Sequence, residues 1–286
     1  MKRHVSIALS LSLLAVLAVP LAGAPAGAPA APKTTEFGSG PSIVLLHGMG
    51  SSRMTWLPTA RKLLGSHHVV MMDLPGHGDT ALPDPFSLQI ASEAIAQGLA
   101  AQKAESTIVV GQGLGGMLAL MVASAHPERV SGVVLIDTAL RPEQPIPDQM
   151  QKYFLQSLDE HYDEIMKGMF TRMGRDSAQG VTLYAQAART PPATMKAYLR
   201  ELMNADGNKS LKGLKRPLLV ISTEKRWPAD KDWAAVAKQS GFEEPAAINA
   251  RRIGNAGPLV ATEQPDSLAA LLDSFQKTTL APLAKK

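Results

Sequence analysis

Apolar runs recur along the chain, and each ends in a polar or glycine-rich corner. The run over 42–46 leads into His47-Gly48-Met49-Gly50, and that over 68–72 into Asp73-Leu74-Pro75-Gly76-His77-Gly78-Asp79. The run over 107–110 leads into Gly111-Gln112-Gly113-Leu114-Gly115-Gly116, that over 130–136 into Asp137-Thr138, and that over 217–222 into Thr223-Glu224-Lys225-Arg226. A last strand is expected over 246–253. Helical periodicity separates these runs, over 56–64, 87–103, 117–125, 228–239 and 263–277. Unbroken apolar strands alternating with helices predict an α/β fold, with a mostly parallel sheet covered by helices on both faces. Ligands of such sheets bind at the carboxyl ends of the strands. The corners at Gly48, Gly76, Gly113 and Asp137 all lie there.

The pattern changes between 141 and 212, where no strand-like run occurs. This stretch opens with Pro142, Pro145 and Pro147 and then turns helical, over 148–173, 177–189 and 193–203. Six of the 13 methionines fall in it: Met150, Met166, Met169, Met173, Met195 and Met203. A Met-rich helical insertion suits an adaptable apolar lid; ordinary helix packing is the plainer reading. The chain thus divides into a leader (1–30), a first core part (38–140), a helical insertion (141–212) and a second core part (213–278).

The leader has its own signature. Lys2, Arg3 and His4 precede an apolar stretch over 5–19, and small-residue triplets follow. That is the pattern of a secretory signal peptide, and it is excluded from fold reasoning. Cleavage after Ala26 or Ala30 is expected. The location is then secreted or periplasmic, with no stable membrane anchor left after cleavage; an uncleaved anchor is the other reading. The apolar run is short for a spanning helix.

Composition narrows the function classes. The chain has 286 residues, 45% hydrophobic and 19% charged, which suits a globular protein with a sizeable core. The net charge is +4, with Lys and Arg scattered and aromatics few, so a nucleic-acid partner is not expected. With no cysteine there is no disulfide, thiol nucleophile or thiolate metal site. No His/carboxylate cluster has metal-ligand spacing, and no cofactor is expected.

The corner after 107–110 has the layout of a nucleophile elbow, G-x-S-x-G, in which a tight strand-to-helix turn holds a nucleophile up into a pocket. Its frame is complete as Gly111, Gln112, Gly113, Leu114, Gly115, but the central residue is Gly113. Together with Val44-Leu-Leu-His-Gly-Met-Gly50, Asp73-Leu-Pro-Gly-His-Gly78, Val134-Leu-Ile-Asp137 and Asn255-Ala-Gly-Pro-Leu259 before Glu263-Gln-Pro265, this elbow resembles the α/β-hydrolase superfamily, in its lid-bearing esterase, lipase and epoxide-hydrolase-like group. The resemblance runs from about Gly38 to Phe275. It implies two strands ahead of the His-Gly strand; the leader leaves little room for them, so the first hairpin is expected to be shortened or absent.

The resemblance also implies a serine, an acid and a histidine in chain order. Gly113 stands at the nucleophile position, Arg226 near the acid position and Pro258 at the histidine position, and no histidine follows His161. A serine hydroxyl needs a base, and the base an orienting acid, so the three act as a unit. The resemblance further implies oxyanion-hole donors from the backbone of Met49 and Leu114, within a binding corner of Gly48 and Gln112. Such donors survive any side-chain change. Asp137 is a candidate acid from the neighbouring strand end. Ser51, Ser52 and Ser222 are substitute nucleophiles without a visible base. His47 and His77 read as loop braces, and Asp73 and Asp79 as turn formers. Lys225 and Arg226 read either as a solvated loop or as anion ligands. The function expected is that of a catalytically degenerate homologue of serine esterases, binding a small apolar or ester-like ligand or a protein partner. The alternative is an active hydrolase or lyase using non-standard residues.

Overall fold

Strands form where apolar residues can be buried on both faces. In the computed structural model, which describes residues 29–103, 106–142, 145–244 and 248–280, these are β2 (Ser42–Leu46), β3 (His68–Met72), β4 (Thr107–Gln112), β5 (Gly132–Ile136) and β6 (Leu218–Thr223). Their side chains alternate between two cores, as a period of two requires. Ile43, Leu45, Val69, Met71, Ile108 and Val110 point to one face, where α1 (Leu57–Leu63) and α11 (Pro265–Leu280) cover them. Val44, Leu46, Val70, Met72 and Val109 point to the other, beneath α2 (Leu88–Leu99) and α3 (Leu114–Ala125).

The seven-stranded sheet has the order β1-β3-β2-β4-β5-β6-β7. All pairings are parallel except that of β1 (Thr34–Gly38) with β3. Among the described residues β1 is the one strand ahead of the His-Gly strand, and it begins four positions before Gly38. β7 (Asn249–Ile253) forms the opposite edge. Buried Gln276 of α11 donates to Ser42 O at 2.9 Å and Ser106 O at 2.8 Å, tying that helix to the entrances of β2 and β4.

Several expected helices are redrawn by local chemistry. The helix expected over 148–173 divides at His161 (φ −130°, ψ 40°) into α4 (Asp148–Glu160) and α5 (Tyr162–Met173), and Asp163 and Glu164 favour a new N-terminus there. The helix expected over 228–239 starts late, as α9 (Trp233–Gln239), because the Asp232 side chain caps it, accepting from Ala235 N–H at 2.7 Å. Pro265 separates α10 (Val260–Glu263) from α11. The leader over 1–28 and residues 246–247 of the last expected strand lie outside the described residues.

Between β5 and β6 lie α4, α5, α6 (Ser177–Ala187), α7 (Pro192–Leu202) and α8 (Asn208–Gly213). α4 to α7 share their own core, with Leu158, Met166, Phe170, Leu183 and Met195 buried. The methionines of this insertion divide in two. Met166 and Met195 fill that core, whereas Met150 and Met173 are exposed. α7 is fastened to the corner after β3: Thr194 Oγ1 donates to Gly76 O at 3.1 Å, and Tyr198 OH to Pro75 O at 3.0 Å.

Candidate functional site

The carboxyl ends of β2, β4, β5 and β6 open into a cavity of about 540 Å³, roofed by Phe170, Met173, Leu183 and Leu202 of the insertion. Gly48, Met49, Gln112, Gly113, Leu114, Asp137, Lys225, Arg226 and Pro258 all line it. Residues more than 200 positions apart are thereby brought to one wall by the parallel topology.

Gly113 is the pivot. Its backbone has φ 53° and ψ −114°, and its N–H donates to Ile136 O at 2.9 Å, which holds the corner against the end of β5. A side chain would be strained by about 1–3 kcal/mol in this region, and glycine avoids that. A Cβ placed there would meet nothing within 4 Å, so the elbow keeps the space where a nucleophile would stand. Leu114 is the first residue of α3, and its N–H lacks a helical acceptor. Neither it nor the N–H of Met49 has a backbone acceptor among the described residues. Both residues line the cavity.

The His-Gly corner is braced by two buried histidines. His47 donates through Nδ1 to Gly48 O at 2.8 Å and accepts at Nε2 from Leu74 N–H at 3.1 Å. His77 donates through Nδ1 to Pro75 O at 3.2 Å and accepts at Nε2 from Gly50 N–H at 3.1 Å. Both rings are therefore fully occupied in their neutral form, and neither lines the cavity. Burial lowers His47 from its ordinary 6.5 to about 3, with His77 lowering it further. Burial lowers His77 to about 4. Above pH 6.5 folded and unfolded chains both carry neutral rings. As the pH falls below 6.5 the unfolded chain takes up protons first, so the stability these rings contribute is lost progressively down to the folded values. In two-dimensional imidazole NMR at pH 5.5, both rings are expected to remain neutral Nδ1–H tautomers. A protonated His47 or His77 at that pH would refute the bracing geometry.

Asp137 ends β5 with a positive φ of 46°, a conformation that Asp tolerates better than most residues. Its carboxylate accepts from Thr223 N–H at 2.8 Å and from Thr223 Oγ1 at 2.7 Å, so it fastens β5 to the end of β6. Burial pushes the carboxyl up, against the Thr223 bonds and the nearby Arg226 charge, which hold it down. Arg226 donates through Nε to Ser240 Oγ at 3.2 Å. Gln112 donates through Nε2 to Pro258 O at 2.7 Å and so pins the loop at Pro258.

The substitute nucleophiles fare differently. Ser51 lines the cavity, but its hydroxyl is bonded to Thr55 Oγ1. Ser52 and Ser222 do not line it, and Ser222 is buried within β6. No histidine is among the lining residues, and no group of His, Asp or Glu suited to a metal is found among the described residues. Sequence reasoning missed Thr223, Ser240, Lys231 and Leu202. Thr223 was signalled only by its place at a strand end; Leu202 lies in α7, and Lys231 and Ser240 flank α9, with no motif of their own.

The family model described as the alpha/beta hydrolase family matches residues 43–271. A pimeloyl-[acyl-carrier protein] methyl ester esterase of Pseudoalteromonas atlantica is 38% identical over 109 residues, covering 37% of this chain and 41% of that protein. The biotin biosynthesis bifunctional protein BioHC of Cellvibrio japonicus is 26% identical over 257 residues, covering 86% of this chain and 49% of that protein. The chain thus spans less than half the length of either relative. A hydrolase structure from Oleispira antarctica superposes with a TM-score of 0.70 at 17% identity, covering 86% of this chain and 94% of that one. At that identity the likeness concerns the fold.

Proposed function

Since the chain belongs to the alpha/beta hydrolase family, we propose that it uses the family's cavity to bind a small apolar or ester-like molecule without cleaving it. The observation that carries this reading is the composition of one wall. Two backbone donors, at Met49 and Leu114, line the same cavity as Gly113, Arg226 and Pro258, and no histidine is among its lining residues. A carbonyl oxygen can be held there, but no group is placed to attack it or to move the proton that attack would release. The name of the relative from Pseudoalteromonas atlantica, a methyl ester esterase acting on a pimeloyl-[acyl-carrier protein], supports acyl esters as the ligand class. The apolar leader supports export, which puts the binding site in a secreted or periplasmic protein.

One experiment tests the reading. The exported protein is treated with a fluorophosphonate, and its intact mass is read. The expected mass is that of a chain beginning after Ala26 or Ala30 with no adduct. The Gly113→Ser variant is expected to stay unlabelled as well, with esterase activity at least about a thousandfold below that of a triad enzyme, because a lone serine lacks its base. A stoichiometric adduct on any serine, or robust turnover by Gly113→Ser, would overturn the binding reading and locate the base.

A further inference from the structure

The cavity wall carries an unbalanced charge. Lys225, Arg226 and Lys231 line it, and Asp137 is the one carboxylate among its lining residues. Asp137 is already engaged with both Thr223 donors. Half-buried Arg226 makes a side-chain bond through Nε to Ser240, and neither of its terminal nitrogens has a partner among the described residues. A guanidinium in a concave site that is also lined by residues with unpaired backbone donors suits a planar anion, since its remaining N–H groups match the two oxygens of a carboxylate.

A second hollow of about 740 Å³ lies between α4, α5 and α7. Its walls are mostly apolar, from Ile146, Met150, Phe154, Ile165, Leu199 and Leu202. Met150 and Tyr153 along it are 57% and 69% exposed, so large apolar side chains are held in contact with water. Leu202 lines both this hollow and the charged cavity, so the two share a wall.

We propose that the ligand is an amphiphilic carboxylate of the fatty-acid type. Its carboxylate sits on Arg226, beside the N–H groups of Met49 and Leu114, and its alkyl tail passes Leu202 into the hollow between α4, α5 and α7. This rests on the binding reading above and narrows it. Arg226 is the residue that selects acid over ester, because an ester carbonyl gains little from a formal positive charge while a carboxylate gains a charge-assisted pair. Leu202 is the residue that selects for chain length, because each methylene buried beyond it adds apolar contact.

Calorimetric titration of the full-length protein with dodecanoate, methyl dodecanoate and butanoate, all below micelle-forming concentrations, tests it. Dodecanoate is expected to bind about tenfold or more tightly than its methyl ester, the size of one charge-assisted hydrogen bond. Arg226→Ala should abolish that preference while leaving methyl dodecanoate within about threefold. Arg226→Lys should restore most of the preference, and Arg226→Gln gives the uncharged comparison with less loss of volume. Leu202→Trp should weaken dodecanoate about tenfold more than it weakens butanoate. Equal binding of dodecanoate and its ester, equal loss of both in Arg226→Ala, or equal affinity for butanoate and dodecanoate overturns the proposal. So does binding of none of the three. Methyl dodecanoate held intact at the affinity of dodecanoate overturns this proposal while leaving the binding reading standing. Release of methanol from it overturns the binding reading itself.

Discussion

Replacing Asp73 with alanine is expected to destabilise the fold by about 3–5 kcal/mol, the cost of leaving a buried charge without its partner. Asp73 is fully buried at the end of β3. Its carboxylate accepts from Arg53 N–H at 2.7 Å and from Asp79 N–H at 3.0 Å, and it pairs with the Arg53 guanidinium. Arg53 in turn donates to Asp79 at 2.8 Å and to Thr35 Oγ1 at 2.8 Å. One carboxylate therefore holds together the loop after the His-Gly corner, the 76–79 turn and the β1 edge. Removing it orphans two backbone donors and strands a cation whose side chain is 17% exposed. For a chain of this length the thermal midpoint should fall by about 10 °C, at roughly 2–4 °C per kcal/mol. Chemical denaturation of Asp73→Ala, Arg53→Met and the double variant checks it. The double variant should lose less than the sum of the two single losses, because removing the second member of the pair relieves the first. A loss under about 1 kcal/mol for Asp73→Ala would show that this network is replaceable.

Gly115→Ala is expected to cost about 3 kcal/mol, at the upper end for an overpacked site, because what the new methyl meets is backbone. A Cβ there would strike His47 O and come within 2.6 Å of Leu46 O. Side chains can rotate away from such an intruder; the carbonyls at the end of β2 cannot move without breaking their place in the sheet. The first turn of α3 must shift instead, carrying Leu114 N–H away from Met49 N–H and weakening any ligand held between them. The comparison is Gly113→Ala, two residues earlier, where the Cβ has open space and only the positive φ opposes it. Its expected cost is about 1–3 kcal/mol. Equal stability of the Gly115→Ala variant and the parent, measured by urea unfolding, would mean that α3 is free to move relative to β2.

Much of the scaffold was legible in the chain. Each apolar run became a strand because a run apolar at consecutive positions can satisfy both faces of a covered sheet, and each corner fell at a strand's carboxyl end for the same reason. The elbow was legible because its glycines answer local demands of φ and close approach, which a sequence states directly. Boundaries were less legible wherever a single side chain intervened. Asp232 caps α9 and delays it, and His161 breaks the helix expected over 148–173. β1 escaped notice because an edge strand paired on one side has no strong apolar signature, with Glu36 and Phe37 both exposed.

By itself the sequence determined the α/β class, the order of its strands along the chain and the glycine-rich corner after β4. Those follow from local pattern, which short-range sterics and burial impose. Only the tertiary structure decided that His47 and His77 spend both ring nitrogens on backbone, and that Asp137 spends its carboxylate on Thr223. It alone decided that Arg226, Met49 and Leu114 line one cavity and that Leu202 lines both this cavity and an apolar hollow. These are contacts between residues far apart in the chain. They depend on which strand lies beside which, and no local pattern encodes where a side chain finds its partner.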